Sequence, residues 1–123
     1  MGDHPGVAGT VLIVDDHAGF RRSASRLLEA DGWEVVGVAA DGAEGMRAAR
    51  RLRPRLVVLD VHLPDGDGFE VAARLLAEPD PPRVVLVSSH ELGDLGELVR
   101  RSGAAGFVTK AQLSGPALEA LLA

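Results

Sequence analysis

Short runs of consecutive apolar residues alternate along this chain with stretches in which apolar residues recur every three or four positions. Thr10 to Val14, Glu34 to Ala39, Leu56 to Leu59, Val84 to Val87 and Gly106 to Thr109 are the short runs. A continuous apolar run of that length predicts a strand buried on both faces. Between the runs, Phe20, Ala24, Leu27 and Leu28 share one face of a first helix. Asp41-Gly42-Ala43-Glu44 is a capping-box pattern that opens a second helix, running to about Leu52 and stopped by Pro54. Phe69, Val71, Ala72, Leu75 and Leu76 mark a third, ended by Pro79, Pro81 and Pro82. A fourth is expected from about Glu91 to Arg101, with Leu92, Leu95, Leu98 and Val99 as its apolar stripe. Gly93 and Gly96 fall in its interior and make it easily shifted. Ser114 reads as the N-cap of a fifth helix, with Pro116 in its first turn and Leu118, Leu121 and Leu122 on one face. Five strand-helix units predict an α/β fold, a doubly wound five-stranded parallel sheet with helices on both faces.

In such sheets the functional site lies beyond the carboxyl ends of the strands. Those ends carry Asp15 and Asp16 after the first strand, Asp60 after the third, Ser88 and Ser89 after the fourth, and Lys110 after the fifth. Each has an ordinary explanation alone. Asp15 is a favoured helix cap, Asp60 precedes a Pro-Asp-Gly turn, and a lone lysine is usually a surface residue. All of these explanations would have to hold together at four strand ends.

Three carboxylates converging with one lysine are costly without a counter-charge. A hard divalent cation removes the cost, and Mg2+ fits because it takes oxygen ligands and is often held by one or two carboxylates plus a phosphate. Composition narrows the field further. The 123 residues make one domain, and no apolar run approaches the ~20 residues of a membrane span. There is no cysteine, hence neither disulfide nor thiolate metal site, which fits a cytoplasmic setting. The formal net charge of −5 argues against direct nucleic-acid binding. The basic cluster Arg47, Arg50, Arg51, Arg53 and Arg55 reads as a solvated face, and Trp33 and Phe69 as core or rim packing.

The ordered set Val11-Leu12-Ile13-Val14-Asp15-Asp16, Leu59-Asp60-Val61-His62-Leu63-Pro64 with Gly68, Val87-Ser88-Ser89 and Gly106-Phe107-Val108-Thr109-Lys110 resembles the receiver domains of bacterial two-component response regulators. The likeness runs from about Thr10 to Leu122, which makes residues 1–9 an N-terminal extension and 10–123 the receiver. Asp15-Asp16-His17 and Ser88-Ser89-His90 look most like the subfamily often linked to helix-turn-helix output domains.

The resemblance implies a flavodoxin-like fold and a set of roles. Asp60 would accept the phosphoryl group. Asp16 and Asp60 would ligate Mg2+ with the backbone carbonyl of His62, and Asp15 would act mostly through a metal-bound water. Lys110 would pair with Asp60 and then with a phosphoryl oxygen. Ser88 would swing to bond the phosphoryl group, and Phe107 would turn inward as the aromatic switch. His62 and His90 would flank the route of hydrolytic water. The implied partners are a histidine kinase or phosphotransfer protein and, on phosphorylation, a second copy of the chain, with no membrane. The output face would be the fourth helix, fifth strand and fifth helix. Leu63 stands where the family commonly has Met, Gly66-Asp67-Gly68 where it often has Met-Asp-Gly, and Phe107 where it often has Tyr; the second change makes that loop more flexible.

Two other functions use the same residues. One is an enzyme, a phosphatase or phosphotransferase with an aspartyl nucleophile; such enzymes often carry an acid two residues after the nucleophile, where this chain has His62. The other is a phosphate-independent interaction domain of the same fold, disfavoured by the presence of the acidic pair, acceptor, hydroxyl and lysine together.

Overall fold

The computed structural model describes residues 8–91 and 93–123. Its elements are β1 (Gly9–Val14), α1 (Ala18–Ala30), β2 (Trp33–Ala39), α2 (Gly42–Leu52), β3 (Leu56–Asp60), β4 (His62–Leu63), β5 (Gly66–Asp67), α3 (Gly68–Leu76), β6 (Arg83–Ser88), α4 (Gly96–Ser102), β7 (Gly106–Thr109) and α5 (Gly115–Leu122). Five strands form one parallel sheet in the order β2-β1-β3-β6-β7. The strand order reverses beside β1 and β3, and these two carry Asp15 and Asp60 at their carboxyl ends.

Alternation along β3 explains how one apolar run serves two layers. Val57 and Leu59 join a cluster with Ala48 and Ala49 of α2, Ala72 and Leu75 of α3, and Val99 of α4. Leu56 and Val58 join a second cluster with Ala24 and Leu28 of α1 and Leu118 of α5. All five residues of β3 are buried. Trp33 is core, Phe69 packs at the core's edge, and the five arginines from Arg47 to Arg55 are exposed.

The caps follow the expected chemistry. Asp41 Oδ1 accepts from Glu44 N–H at 2.8 Å, and Glu44 Oε1 reaches back to Ala40 N–H at 2.6 Å. Ser114 Oγ accepts from Ala117 N–H at 3.0 Å. Arg53 takes a left-handed conformation, φ 48°, where α2 ends before Pro54.

Two expectations change. The fourth helix does not begin near Glu91. A 3-10 turn spans Gly93–Leu95, and α4 starts at Gly96. Gly93 sits at φ +53°, a conformation no α-helix contains, so the apolar periodicity extends further than the helix does. Gly96 is thus the first helical residue rather than an interior one, and Leu92 lies outside the described residues. The Gly66-Asp67-Gly68 stretch, expected as a loop, carries paired structure. His62–Leu63 and Gly66–Asp67 pair as a short antiparallel hairpin, and Asp67 Oδ1 caps α3 by accepting from Phe69 N–H at 2.8 Å.

Candidate functional site

Asp15 follows β1 directly, and its N–H extends the ladder to Ala39 O at 2.9 Å. This bond holds the residue inside, fully shielded from solvent. Its Oδ1 accepts from His17 N–H at 2.7 Å, a local turn that swings the chain into α1. Arg21 Nη1 donates to the Asp15 carbonyl at 2.7 Å and ties that turn to the first helical turn. Asp60 ends β3 next door and is also buried; its Oδ1 accepts from His62 N–H at 3.0 Å.

The ammonium of Lys110, just past β7, reaches both carboxylates. It lies 2.6 Å from Asp15 Oδ2 and 3.3 Å from Asp60 Oδ2. Its pairing is therefore tighter with Asp15 than with Asp60, the reverse of the emphasis implied by the family likeness. The ring of Phe20 from α1 sits beneath it, 4.8 Å from the nitrogen to the centroid. Asp16 is partly exposed, and its Oδ1 is 3.1 Å from His17 Nδ1.

Ser88 is buried at the end of β6, and its Oγ accepts from His90 N–H at 3.3 Å. No hydrogen bond among the described residues joins it to either carboxylate. Phe107, inside β7, is half-buried and packs against the layer that contains α4. The side chains of His62 and His90 are exposed. The structure thus gathers Asp15, Asp16, Asp60 and Lys110 into one cluster, while Ser88 and Phe107 stand on neighbouring strands.

Charge follows from these contacts. Burial opposes ionisation of Asp15, but the Lys110 ammonium and the His17 N–H outweigh it and hold the carboxyl below its ordinary range. Burial raises Asp60, and the negative charge of Asp15 adds to that against the His62 N–H and Lys110. Burial alone would lower Lys110, yet the two aspartates keep it above its ordinary value. The pair with its lysine thus carries one firmly ionised carboxylate and one that resists ionisation.

The donors suit a hard cation. Oxygens of Asp15, Asp16 and Asp60, with a nitrogen of His17, lie within 4.8 Å of one another. Asp15 Oδ2 is sealed from water and meets no donor in hydrogen-bonding geometry, although the ammonium stands beside it. Carboxylate oxygens with such spare capacity match the preference of Mg2+.

Four contributors escaped the reading of the sequence. In the sequence His17 stands out only as part of a motif, and Phe20 only as a helical apolar position. Asp65 accepts from Gly42 N–H at 2.8 Å and Ala43 N–H at 2.9 Å, so the loop after Asp60 is clasped to the start of α2. Those two N–H groups hold its carboxyl below the usual range. Gly68 admits the closest approach: a Cβ there would lie 2.2 Å from the Asp60 carbonyl oxygen and 2.7 Å from Val61 Cα. The Asp-Gly and Gly positions of that turn were the available signal for both.

A response regulator receiver domain model matches residues 11–121. BvgA of Bordetella pertussis, described as a positive transcription regulator of virulence factors, is 42% identical over 100 residues, 81% of this chain and 48% of its own length. The response regulator GacA of Pseudomonas viridiflava is 39% identical over 101 residues, 81% of this chain and 47% of its own. The chain spans about half the length of these relatives. Among solved structures, the signal receiver domain of the response regulator NarL from Mycobacterium tuberculosis superposes with a TM-score of 0.82 at 33% identity, covering 93% of each chain. The chemotaxis response regulator CheY4 of Vibrio cholerae gives 0.78 at 26% identity, over 92% of this chain and 94% of its own.

Proposed function

Because the chain belongs to the family of response regulator receiver domains, we propose that Asp60 accepts the phosphoryl group that operates it as a switch, with Asp15, Asp16, Lys110 and Mg2+ completing the site. The observation that carries this assignment is the lysine wedged between two buried carboxylates at the strand ends.

Asp60 Oδ1 is engaged by the His62 N–H, which leaves Oδ2, beside Lys110, to attack phosphorus. The new O–P bond forms as the bond from phosphorus to the donor's leaving group breaks, and that group departs with the electron pair. Charge in such a transfer sits on the equatorial oxygens. Lys110, a mobile point charge, supplies part of the compensation by shifting toward a phosphoryl oxygen. Mg2+, held by Asp16, Asp60 and the His62 carbonyl with Asp15 through water, would supply the rest when bound. Asp15, already ionised, keeps the lysine protonated and in place.

Ser88 is one strand from the acceptor and, among the described residues, its hydroxyl is committed only to the His90 N–H. Phosphorylation would draw it toward the new oxygens, and Phe107 would follow into the space vacated beside α4. His62 and His90 flank the approach of water and set how long the phosphoryl group survives. The chain acts on its own carboxylate and is not a multiple-turnover enzyme. Its source of phosphoryl groups is a histidine kinase or phosphotransfer protein, and its output is transmitted through α4, β7 and α5, including pairing with a second copy. Relatives described as transcription regulators support an output at transcription through a part of the protein other than this acidic domain. Among the described residues no helix is long and apolar enough to cross a membrane, and a cytoplasmic location follows from the kinase partner.

Incubation with acetyl phosphate and Mg2+ should add one phosphoryl group, measured by intact mass. Asp60→Asn should remove the addition. Unchanged labelling of that variant would refute the assignment, and release of phosphate from small phosphoesters over many turnovers would favour a phosphatase instead.

A further inference from the structure

The carboxylates account for a magnesium site, but they leave one side chain at its edge unexplained. His17 precedes α1 at the N-cap position and makes no side-chain cap bond. The side chain is two-thirds exposed, yet its Nδ1 lies against the cluster. Nδ1 lies 3.2 Å from Asp15 Oδ1, 3.1 Å from Asp16 Oδ1 and 3.5 Å from Lys110 Nζ. One ring atom thus faces two metal-ligand candidates and the site's cation at once.

These separations carry a second message. Two ligands at right angles on an ion with bonds of about 2.1 Å lie about 3 Å apart. The contact from Nδ1 to Asp16 Oδ1, a direct ligand in the assignment above, has that span. One ligand-type atom from each of Asp15, Asp16, His17 and Asp60 lies within 4.8 Å of the others, so Nδ1 stands within reach of an ion held by the carboxylates.

Building on the metal site assigned above, we propose that the His17 imidazole is an additional ligand at this site and turns its preference toward nitrogen-accepting divalent transition ions. Magnesium gains little from imidazole because it favours oxygen, whereas Co2+, Ni2+ and Zn2+ bind imidazole well. The same cluster therefore accepts Mg2+ through oxygen alone and holds a transition ion through oxygen and nitrogen. The residue is a determinant of which ion occupies the site, not of the phosphoryl transfer itself.

The test is calorimetric titration of the protein with Co2+ and with Mg2+ at one neutral pH, in wild type and His17→Ala. The alanine keeps the backbone N–H bond to Asp15 and removes an exposed ring, so the fold is retained; circular dichroism checks this. His17→Ala should weaken Co2+ roughly tenfold or more while moving Mg2+ by less than about twofold. The visible absorption of bound Co2+ should change between the two proteins, because a nitrogen ligand is lost. Excess Mg2+ should displace Co2+ from both. Equal losses for the two ions, no loss for either, or Co2+ that Mg2+ fails to displace would each overturn the proposal while leaving the magnesium site standing. Wild type that binds neither ion would overturn the site and the proposal together.

Discussion

Asp15 and Asp60 stand on adjacent strands and share one lysine, whereas Ser88 and Phe107, further along the same sheet, bond to neither. The first pair is enclosed by β1, β3 and the long helix α1 of 13 residues. The second is bordered by α4, which has 7 residues, follows a 3-10 turn, and leaves Leu98 40% exposed. On the β1–β3 side both buried carboxylates are held by a backbone N–H and by the Lys110 ammonium. On the β6–β7 side the hydroxyl of Ser88 has, among the described residues, a single long bond to the next turn. Chemistry at a phosphoryl group needs fixed positions, and a switch needs an element with more than one arrangement. Under the proposed function the two halves of the rim would divide those demands.

The sharpest way to break this comparison is to loosen the rigid half. A Cβ at Gly68 would lie closer to the Asp60 carbonyl than any Cβ tolerates, and the opposing atoms are backbone. Gly68→Ala must push α3 away from β3 or displace Asp60. Overpacking of this kind costs about 3 kcal/mol. Denaturant unfolding should show that loss, and acetyl-phosphate labelling should fall with it. A variant of wild-type stability would mean that the rim is softer than the contact implies.

How far the sequence foretold this arrangement depends on the range over which each force acts. Continuous apolar runs announce buried parallel strands because both faces of β1 and β3 are covered, and the observed strand ends lie within a residue or two of those read from the chain. Caps such as Asp41 and Ser114 are local, so they were readable. The start of α4 was not. Its apolar spacing continues upstream of Gly93, and only the positive φ that glycine permits ends the helix there. The hairpin β4–β5 is too short for periodicity to register. Asp15, Asp16, Asp60, Ser88 and Lys110 could be named because strand ends converge by topology. The clasp of Asp65 on α2 and the ring of Phe20 under Lys110 depend on three-dimensional placement over 22 to 90 positions, which no local pattern encodes.

A smaller effect sharpens the electrostatic side of the contrast. Asp60 is raised by burial and by Asp15, so its charge works against the fold. A group raised on folding favours the native state while protonated, and that advantage is lost as pH climbs from the ordinary carboxylate range through the raised value. Asp60→Asn keeps an oxygen for the His62 N–H and removes the charge. In metal-free buffer it should stabilise the protein by on the order of 1 kcal/mol at neutral pH, with no gain below about pH 3.9. Asp15 has the opposite sign: held low, it supports the fold at neutral pH and ceases to do so in acid. Thermal melts across pH, in chelator, check both slopes. An Asn variant that is less stable at neutral pH would show that Lys110 binds Asp60 more strongly than the geometry indicates.

The smallest effect belongs to the loose half. Gly96 opens α4 without a positive φ, and a Cβ there would meet nothing closer than an Arg100 guanidinium nitrogen at 3.9 Å. Alanine at this position restricts the unfolded chain and strains nothing in the folded one. Gly96→Ala should therefore add about 0.5 kcal/mol and raise the melting temperature by roughly 2 °C. If α4 is the element whose looseness serves the switch, the gain will be local. Hydrogen exchange should show weaker amide protection in α4 than in α1 of the wild type, and the alanine should strengthen α4 while leaving α1 unchanged. Phosphorylation should then perturb α4 less in the variant than in the parent, because the substitution narrows the set of arrangements that Ser88 and Phe107 can select. Equal protection of α1 and α4 in the unphosphorylated protein, unmoved by acetyl phosphate, would place the output of this domain on another surface.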